Sequence, residues 1–221
     1  MVADRPRVAE KIRKVRWEKP AFDGRFFTRA PDFWPIAKAA ERFAEHDDWP
    51  DVAAYNAPGA PVRFEEAPVK RKRPPGEIVR AELYDARIVN DRVVPTRPRM
   101  WHDFLNALVW LTFPKAKLAL HRRQHAAIER WIPPGATQLP NARTREQDAL
   151  ALIDEGGVLL VEGRTMFFGH ALYEGLVFGQ LAMISRGVAL SGTVAEADVE
   201  LAALLDDAAR FQSPEELPRR T

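Results

Sequence analysis

The sequence predicts an α+β fold in which antiparallel β-hairpins pack with several α-helices in a single domain. Two segments alternate apolar and polar side chains around short turn sequences, "EIVRAELYDARIVNDRVVP" and "DALALIDEGGVLLVEG", and this pattern is typical of hairpins. Other segments carry apolar residues at helical spacing. Because strands and helices do not alternate regularly along the chain, the pattern favours α+β over a parallel α/β sheet.

The helices are predicted from apolar periodicity and from proline positions. Pro114 separates two of them, because proline suits the first turn of a helix but not its interior. The capping box of Thr193 and Glu196 is expected to start a last helix that runs to Arg210. The other predicted helices are residues 33–46, 101–113, 115–131 and 170–183.

The strands are predicted from turn residues. Asn90 and Asp91 are expected to form the two-residue turn of the first hairpin, between "RIV" and "RVV". Residues 155–157 are expected to turn the second hairpin, between "LALID" and "VLLVE". Residues 132–147 are predicted to be a polar loop, and "RGVAL" a short strand.

Composition excludes several classes of chemistry. The 221 residues are 46% hydrophobic, enough for a core, and 33 basic against 31 acidic residues leave a net charge of only +2. The absence of cysteine excludes disulfides, thiolate metal ligands and cysteine nucleophiles. The start of the chain lacks an apolar signal region, and the apolar runs are too short to span a bilayer, so we expect a cytoplasmic protein with no membrane partner.

Two segments are strongly basic although the net charge of the whole chain is close to zero. Residues 1–20 are predicted to be a basic arm or helix preceding a domain of residues 21–221, and four consecutive basic residues run from Lys70 to Arg73. Such segments are usually solvated surface, and the alternative is that they contact nucleic acid or a protein partner. The sequence leaves the oligomeric state open.

Polar side chains form a stripe on the mostly apolar helix predicted at 101–113. At 100° per residue, His102, Asp103 and Asn106 share one flank of a helix that is otherwise apolar nearly all round. A helix of this kind is normally buried, and an unpaired buried polar group costs about 1–3 kcal/mol. The three side chains are therefore expected to have partners, either in a structural hydrogen-bond network or around a pocket.

In the pocket interpretation, His102 is a general acid or base oriented by a neighbouring polar group. Arg97 and Arg99 precede the helix start, where free backbone amides and the helix dipole already attract anions. A phosphate or carboxylate group of a small molecule is therefore expected to bind there.

A second mostly apolar helix also contains polar residues, His170 and Glu174, which lie four residues apart on one face. They either form a simple hydrogen-bonded pair or face His102 and Asn106 across a cleft. The distance between the two histidine side chains discriminates between these interpretations.

With Asp154 or Glu155 from the second hairpin, the two histidines would form a cluster that suits a metal ion and water activation. No known metal-site spacing supports this, and a nucleophile elbow, a phosphate loop and a dinucleotide fingerprint are all absent, so no cofactor is assigned. His121 and His125 have zinc-ligand spacing, but the arginines between them oppose a cation, and surface histidines are expected instead.

The segments "VVPTRPRMWHDFLNALVWLTFPKAKLAL", "DALALIDEGGVLL" and "GHALYEGL" resemble the bacterial domain-of-unknown-function family 3025. The resemblance extends from about Trp17 to the C-terminal helix. It implies no activity, since none is assigned to the family, but it marks positions of importance. These are Thr96, Arg97, Trp101, His102, Asp103, Asn106, Asp148, Asp154, Glu155 and His170.

These observations predict a hydrolase that acts on a small anionic substrate. The expected catalytic residues are His102, Asp103, Asn106, His170 and Glu174. The expected substrate-binding residues are Thr96, Arg97, Arg99, Asp154 and Glu155. The alternatives are a nucleic-acid or protein-binding adaptor without catalysis, and a small-molecule-binding protein that uses the same pocket.

Overall fold

The computed structural model describes residues 19–68, 78–140, 142–180 and 183–220. Its helices are α1 (Ala37–Ala40), α2 (Tyr84–Ala86), α3 (Trp101–Thr112), α4 (Pro114–Trp131), α5 (Arg145–Gly156), α6 (His170–Val177) and α7 (Ala197–Asp206). Its strands are β1 (Arg63–Glu66), β2 (Val93–Thr96), β3 (Gly157–Val161), β4 (Arg164–Phe167), β5 (Ser185–Ala189) and β6 (Arg219–Arg220). The architecture is α+β, as the sequence predicts.

Helix α3 lies in the hydrophobic core. Eight of its 12 residues are buried, and Phe104 is fully enclosed. The ring of Phe104 contacts the aromatic rings of Phe22, Phe26, Phe43, Trp49, Tyr55 and Trp101. Burying such a side chain stabilises the fold by about 1.5–3 kcal/mol. The aromatic cluster therefore fixes α3, and with it the orientation of the polar flank.

Helix α4 begins at Pro114 and is capped from another element. Asp198, on α7, accepts hydrogen bonds from the backbone amides of Lys115 (3.2 Å) and Ala116 (2.8 Å). These amides have no partner within the helix, because the first turn lacks preceding carbonyls. The carboxylate thus joins α7 to the start of α4.

We expect Asp198→Ala to lower the free energy of unfolding by about 1–2 kcal/mol, the usual effect of losing an N-terminal cap. Urea denaturation measures the change. The control is Asp206→Ala, which removes an exposed ion pair with Arg122 and is expected to change stability by less than about 1 kcal/mol. Equal effects of the two substitutions would contradict the capping role.

The strands form two small sheets. In one, β1 pairs in parallel with β2, so that Arg63 lies opposite Val93. In the other, the strand order is β4-β3-β5-β6, and β3 pairs antiparallel with β4 and parallel with β5. Strand β3 is central, and its start connects directly to the end of α5.

The hairpin predicted at residues 77–95 is wrong. Helix α2 continues into a π-helical turn, Arg87–Asp91, and β2 pairs with the distant β1. The helical turn buries Ile88 completely and ends at Arg92, whose φ of 57° is left-handed. Asn90 and Asp91 therefore end a helical turn instead of turning a hairpin.

The second hairpin exists but is displaced along the chain. Residues predicted as its first strand lie in α5, together with the first two residues of the predicted turn, and the antiparallel pair is β3 with β4. Glu162 and Gly163 connect these strands with φ values of 50° and 71°, as a two-residue hairpin turn requires. Asp154 and Glu155 consequently lie in the last turn of a helix.

The predicted loop at residues 132–147 ends earlier than expected. Thr144 and Gln147 form a capping box, in which the Thr144 amide donates to Gln147 Oε1 (2.8 Å) and the Gln147 amide donates to Thr144 Oγ1 (3.2 Å). This reciprocal pair satisfies two free amides and starts α5 at Arg145.

The helices predicted at 101–113 and 115–131 are confirmed as α3 and α4. The helix predicted at 170–183 is shorter, because Gly179 adopts a left-handed φ of 69° just after its end. The segment 33–46 forms only short helical turns, and Pro35, which has no amide to donate, lies between two of them.

The capping box of Thr193 and Glu196 is present at a short 3₁₀ turn that leads into α7. Helix α7 ends at Asp206, before the predicted end at Arg210.

Within the part of the chain that the structure describes, no helix combines the length and apolar character needed to cross a membrane. The run from Lys70 to Arg73 lies outside the described residues, as does the predicted basic arm except Lys19 and Pro20.

Candidate functional site

The structure brings His102 and His170, from the two mostly apolar helices, into direct contact. His102, at the start of α3, and His170, at the start of α6, place their Nε2 atoms 2.9 Å apart. Their rings meet edge to face, with centroids separated by 4.4 Å. Because the residues are 68 positions apart, only the packing of α3 against α6 brings them together.

Carboxylates flank the pair. Glu174 Oε2 lies 2.9 Å from His102 Nδ1, and Glu155 Oε2 lies 3.4 Å from His170 Nε2. Glu174 therefore fixes the ring orientation of His102 through the nitrogen that faces away from His170. Glu155, whose side chain is 50% exposed, lies at the solvent edge of the centre.

Behind His170 lies a buried ion pair. Lys117, on α4, is completely enclosed, and its ammonium group donates to Asp154 Oδ1 at 2.5 Å. The same Asp154 oxygen is 3.9 Å from His170 Nδ1. That nitrogen is buried without a hydrogen bond of normal geometry among the described residues. A row of charged and polar groups thus leads from Lys117 to the solvent-exposed edge of His102.

The local sequence enforces the position of His170. Gly169 donates its backbone amide to the carbonyl of Gly157 (2.9 Å), so that the start of α6 packs against the α5–β3 junction. A Cβ atom at Gly169 would lie 2.5 Å from the carbonyl carbon of Glu155 and from the amide of Gly156. Only glycine permits this approach, which places His170 beside Glu155.

The two histidines have opposite pKa shifts. The hydrogen bond to Glu174 raises the pKa of His102, although partial burial opposes this. Burial lowers the pKa of His170 to about 3. A proton added to the pair therefore binds on the side of His102.

The pKa values of Glu155 and Asp154 also shift in opposite directions. Burial and the neighbouring charge of Asp154 raise the pKa of Glu155. Burial alone would also raise the pKa of Asp154, but the charge of Lys117 outweighs it and holds this pKa well below its usual range. Asp154 is consequently a fixed anion, whereas Glu155 gains a proton more readily than an ordinary glutamate.

Asp103 contacts Arg97 and neither histidine. Its carboxylate accepts from the Arg97 backbone amide (2.6 Å) and from Nε and Nη2 of the guanidinium group, and this contact raises the pKa of Arg97. Arg99 pairs with Asp48 on the exposed surface. The two arginines predicted to bind substrate are thus both engaged by acids, although both remain more than half exposed.

Asn106 and Thr96 lie deeper in the fold. Asn106 Nδ2 donates to the hydroxyl of Tyr84 (3.3 Å), while its Oδ1 is buried without a partner among the described residues. Burial raises the pKa of Tyr84. The Thr96 hydroxyl donates to the carbonyl of Val94, so it has a structural contact at the end of β2. Asp148 is exposed in the first turn of α5.

The sequence did not single out Lys117 as part of the site, and it predicted the wrong surroundings for His121. His121 is 1% exposed, its Nδ1 lies 2.8 Å from Asp85 Oδ1, and its ring stacks on Trp110. The expectation that His121 lies on the surface is therefore wrong. A signal existed, because Lys117 and His121 are four residues apart among the alanines and leucines of α4.

Two shallow clefts lie elsewhere, along α4 and the segments near Glu146 and Gln212. The arginines in them are paired with acids: Arg122 with Asp206, Arg123 and Arg130 with Glu146, and Arg145 with Glu215. These clefts therefore offer less for an anion than their arginines suggest.

The contact between the two Nε2 atoms depends on the tautomers of the rings, since either one ring donates a hydrogen bond to the other or both present lone pairs. When Nδ1 of each ring carries the proton, two lone pairs face each other at 2.9 Å, and a positive species between or beside them relieves the repulsion. A proton or a metal cation would relieve this repulsion. The centre is also reachable, since the side chains of His102 and Glu174 are each 29% exposed.

The described residues thus define an α+β protein with a partly exposed centre of two histidines and flanking carboxylates. Residues 75–166 match the model of a family described as "Protein of unknown function (DUF3025)". This match confirms the resemblance inferred from the sequence, over a shorter segment than the motifs suggested.

The matched segment includes His102, Asp154 and Glu155, and it ends before His170 and Glu174. No curated protein matches the chain significantly, and neither does any solved structure.

Proposed function

We propose that this chain is a hydrolase that acts on small anionic substrates, with His102 and His170 at its reacting centre. The observation that carries the proposal is the 2.9 Å approach of the two Nε2 atoms, one from a buried ring and the other from a partly exposed ring. Two imidazoles and a carboxylate at one solvent-accessible point are suited to orient and polarise a water molecule.

Each group has a role consistent with its position. His102 and His170 present nitrogen atoms to the reacting groups, and Glu155 lies at the entrance. Glu174 is a positioning residue, because it contacts the far side of the His102 ring. Lys117 and Asp154 support His170 from the interior.

Arg97 is the expected contact for the substrate anion. Its side chain is 57% exposed, and its Nη1 group makes no hydrogen bond within the described part of the chain. Asp103 holds the other edge of the guanidinium group and so fixes the direction of the free donors. Because Glu155 and Glu174 would repel an anion, the substrate is expected to approach from the side of Arg97.

The decisive test is turnover by His102→Gln. Purified protein is assayed against phosphate monoesters and diesters, sulfate esters and N-acyl amino acids, and the substrate that the wild type hydrolyses is used for all variants. We expect His102→Gln to lower kcat/KM by at least about 100-fold, the usual contribution of a positioned acid or base. The melting temperature should stay close to that of the wild type, since the ring is partly exposed.

The matched control is His46→Gln, which alters an exposed histidine outside the centre. It is expected to retain full turnover. An unchanged rate in His102→Gln would contradict the proposal. Substrates that raise the melting temperature without being hydrolysed would indicate a small-molecule-binding protein instead.

A further inference from the structure

The geometry around His102 and His170 carries more than a catalytic pair. Glu174 lies against His102 Nδ1, and Asp154 is the acid nearest to His170 Nδ1. A carboxylate that accepts from Nδ1 holds a hydrogen there and leaves Nε2 with a free lone pair, as Glu174 does for His102. His170 Nδ1 has no hydrogen-bond partner among the described residues and lies 3.9 Å from Asp154, so His170 is free to take the same tautomer and present its own Nε2 lone pair. Both free lone pairs therefore point into the same small volume.

Glu155 supplies a third ligand atom to that volume. One ligand atom from each of His102, Glu155 and His170 lies within 4.8 Å of the other two. The separations of 2.9 Å between the nitrogens and 3.4 Å from His170 to Glu155 are close to those of adjacent ligands. Two atoms at about 2.1 Å from one ion, and about 90–110° apart, are separated by about 3.0–3.4 Å.

The charge around the centre also favours a cation. Lys117 compensates Asp154, but Glu155 and Glu174 contact only histidines and have no lysine or arginine partner among the described residues. Two carboxylates are thus left to balance a positive charge at the histidine pair. A dipositive ion satisfies both the charge and the facing lone pairs.

We propose that His102, His170 and Glu155 bind one divalent transition-metal ion of the class that accepts imidazole and carboxylate ligands, such as Zn²⁺, Co²⁺, Mn²⁺ or Fe²⁺. Glu174 acts as an outer carboxylate that orients the His102 ring, an arrangement that strengthens metal binding, and Asp154 places a negative charge behind His170. The three ligands leave coordination positions open on the side of solvent, where a substrate or water can bind. The inference concerns the same centre as the proposed hydrolase and gives it a cofactor.

The test is metal binding by the full chain, purified without a polyhistidine tag and stripped with EDTA. Co²⁺ is titrated while its visible absorption is recorded, and Zn²⁺ is then added as a competitor. We expect one Co²⁺ per chain, displaced by Zn²⁺, and a rise in melting temperature on metal addition.

Variants locate the site. Glu155→Gln changes an exposed side chain that should not disturb folding, and it is expected to weaken Co²⁺ binding at least tenfold. His102→Gln is expected to abolish binding, whereas His46→Gln should bind as the wild type does. Failure of the wild type to bind Co²⁺ or Zn²⁺, or binding unaffected by both site variants, would overturn the inference.

Measurements of hydrolysis distinguish a failure of the metal site from a failure of the proposed hydrolase function. Failure to bind Co²⁺, together with full hydrolysis by the EDTA-stripped protein, would overturn the metal site and leave the hydrolase standing. Stoichiometric binding that depends on His102, without hydrolysis of any substrate, would support the metal site and overturn the hydrolase.

Discussion

Lys117→Met is expected to lower the free energy of unfolding by about 3–5 kcal/mol, the usual effect of breaking a buried ion pair by removing one partner. The ammonium group is completely enclosed, and Asp154, its partner at 2.5 Å, has a side chain only 14% exposed. Methionine fills a similar volume, so the loss reports an uncompensated Asp154 carboxylate rather than a cavity. Urea denaturation followed by tryptophan fluorescence measures it.

Two further variants test this explanation. The double variant Lys117→Met/Asp154→Leu removes both charges and is expected to recover most of the lost stability, since apolar replacements of a buried pair are often neutral. Lys115→Met, an exposed position on the same helix, should change stability by less than about 0.5 kcal/mol. A Lys117→Met protein as stable as the wild type would contradict a stabilising role for this ion pair.

Gly169→Ala is expected to reduce stability by about 1–3 kcal/mol or more, because the added methyl group overlaps backbone atoms that cannot rotate away. The methyl carbon would lie 2.5 Å from the amide of Gly156 and from the carbonyl carbon of Glu155. Relief of this overlap moves α6 away from α5, and His170 away from Glu155. We therefore expect weaker substrate turnover as well as lower stability, measured by kinetics and by denaturation.

Gly156→Ala is the matched control for this substitution. Gly156 ends α5, and a Cβ atom there would meet only the Ile184 carbonyl oxygen at 3.5 Å and Ser185 Cα at 4.0 Å, which are ordinary contacts. Because alanine is also a better helix former than glycine, Gly156→Ala should be neutral or slightly stabilising. If both variants lost the same stability, the specific requirement for glycine at position 169 would be refuted.

Helices α3 and α4 were the most predictable part of the fold. Helix α3 combines strong apolar content with a proline just after its end, and these signals are local in sequence. Short segments were less predictable, because "RIVNDRVV" fits a strand pair as well as a helical turn. Tertiary contacts decide between them: as a helical turn, the segment from Tyr84 places Asp85 against His121.

One error had a sequence signal that could have corrected it. Thr144 and Gln147 have the spacing of a capping box, which predicts a helix start directly before "DALALIDEG". The two glycines after Glu155 suggested a hairpin turn instead. The reciprocal capping bonds and the burial of Ala149, Leu150 and Ile153 on one helical face favour α5.

The sequence predicted that His102 and His170 could share a centre, because polar residues in oily helices need partners. It could not predict which partners they take. Asp103, next to His102, turns to Arg97, while Glu174, from another helix, contacts the His102 ring. Such choices depend on side-chain directions that only the packed helices define.

The histidine centre comes from three separate stretches of the chain, so its signature is composite. "WHD" on α3, "DEGG" at the α5–β3 junction and "GHALYE" on α6 each contribute a part. A search of other chains that uses only the family-matched segment will retrieve proteins with His102 but will not report whether the facing ring is present. Queries that require all three stretches in this order would separate relatives that retain the whole centre from those that keep only its scaffold.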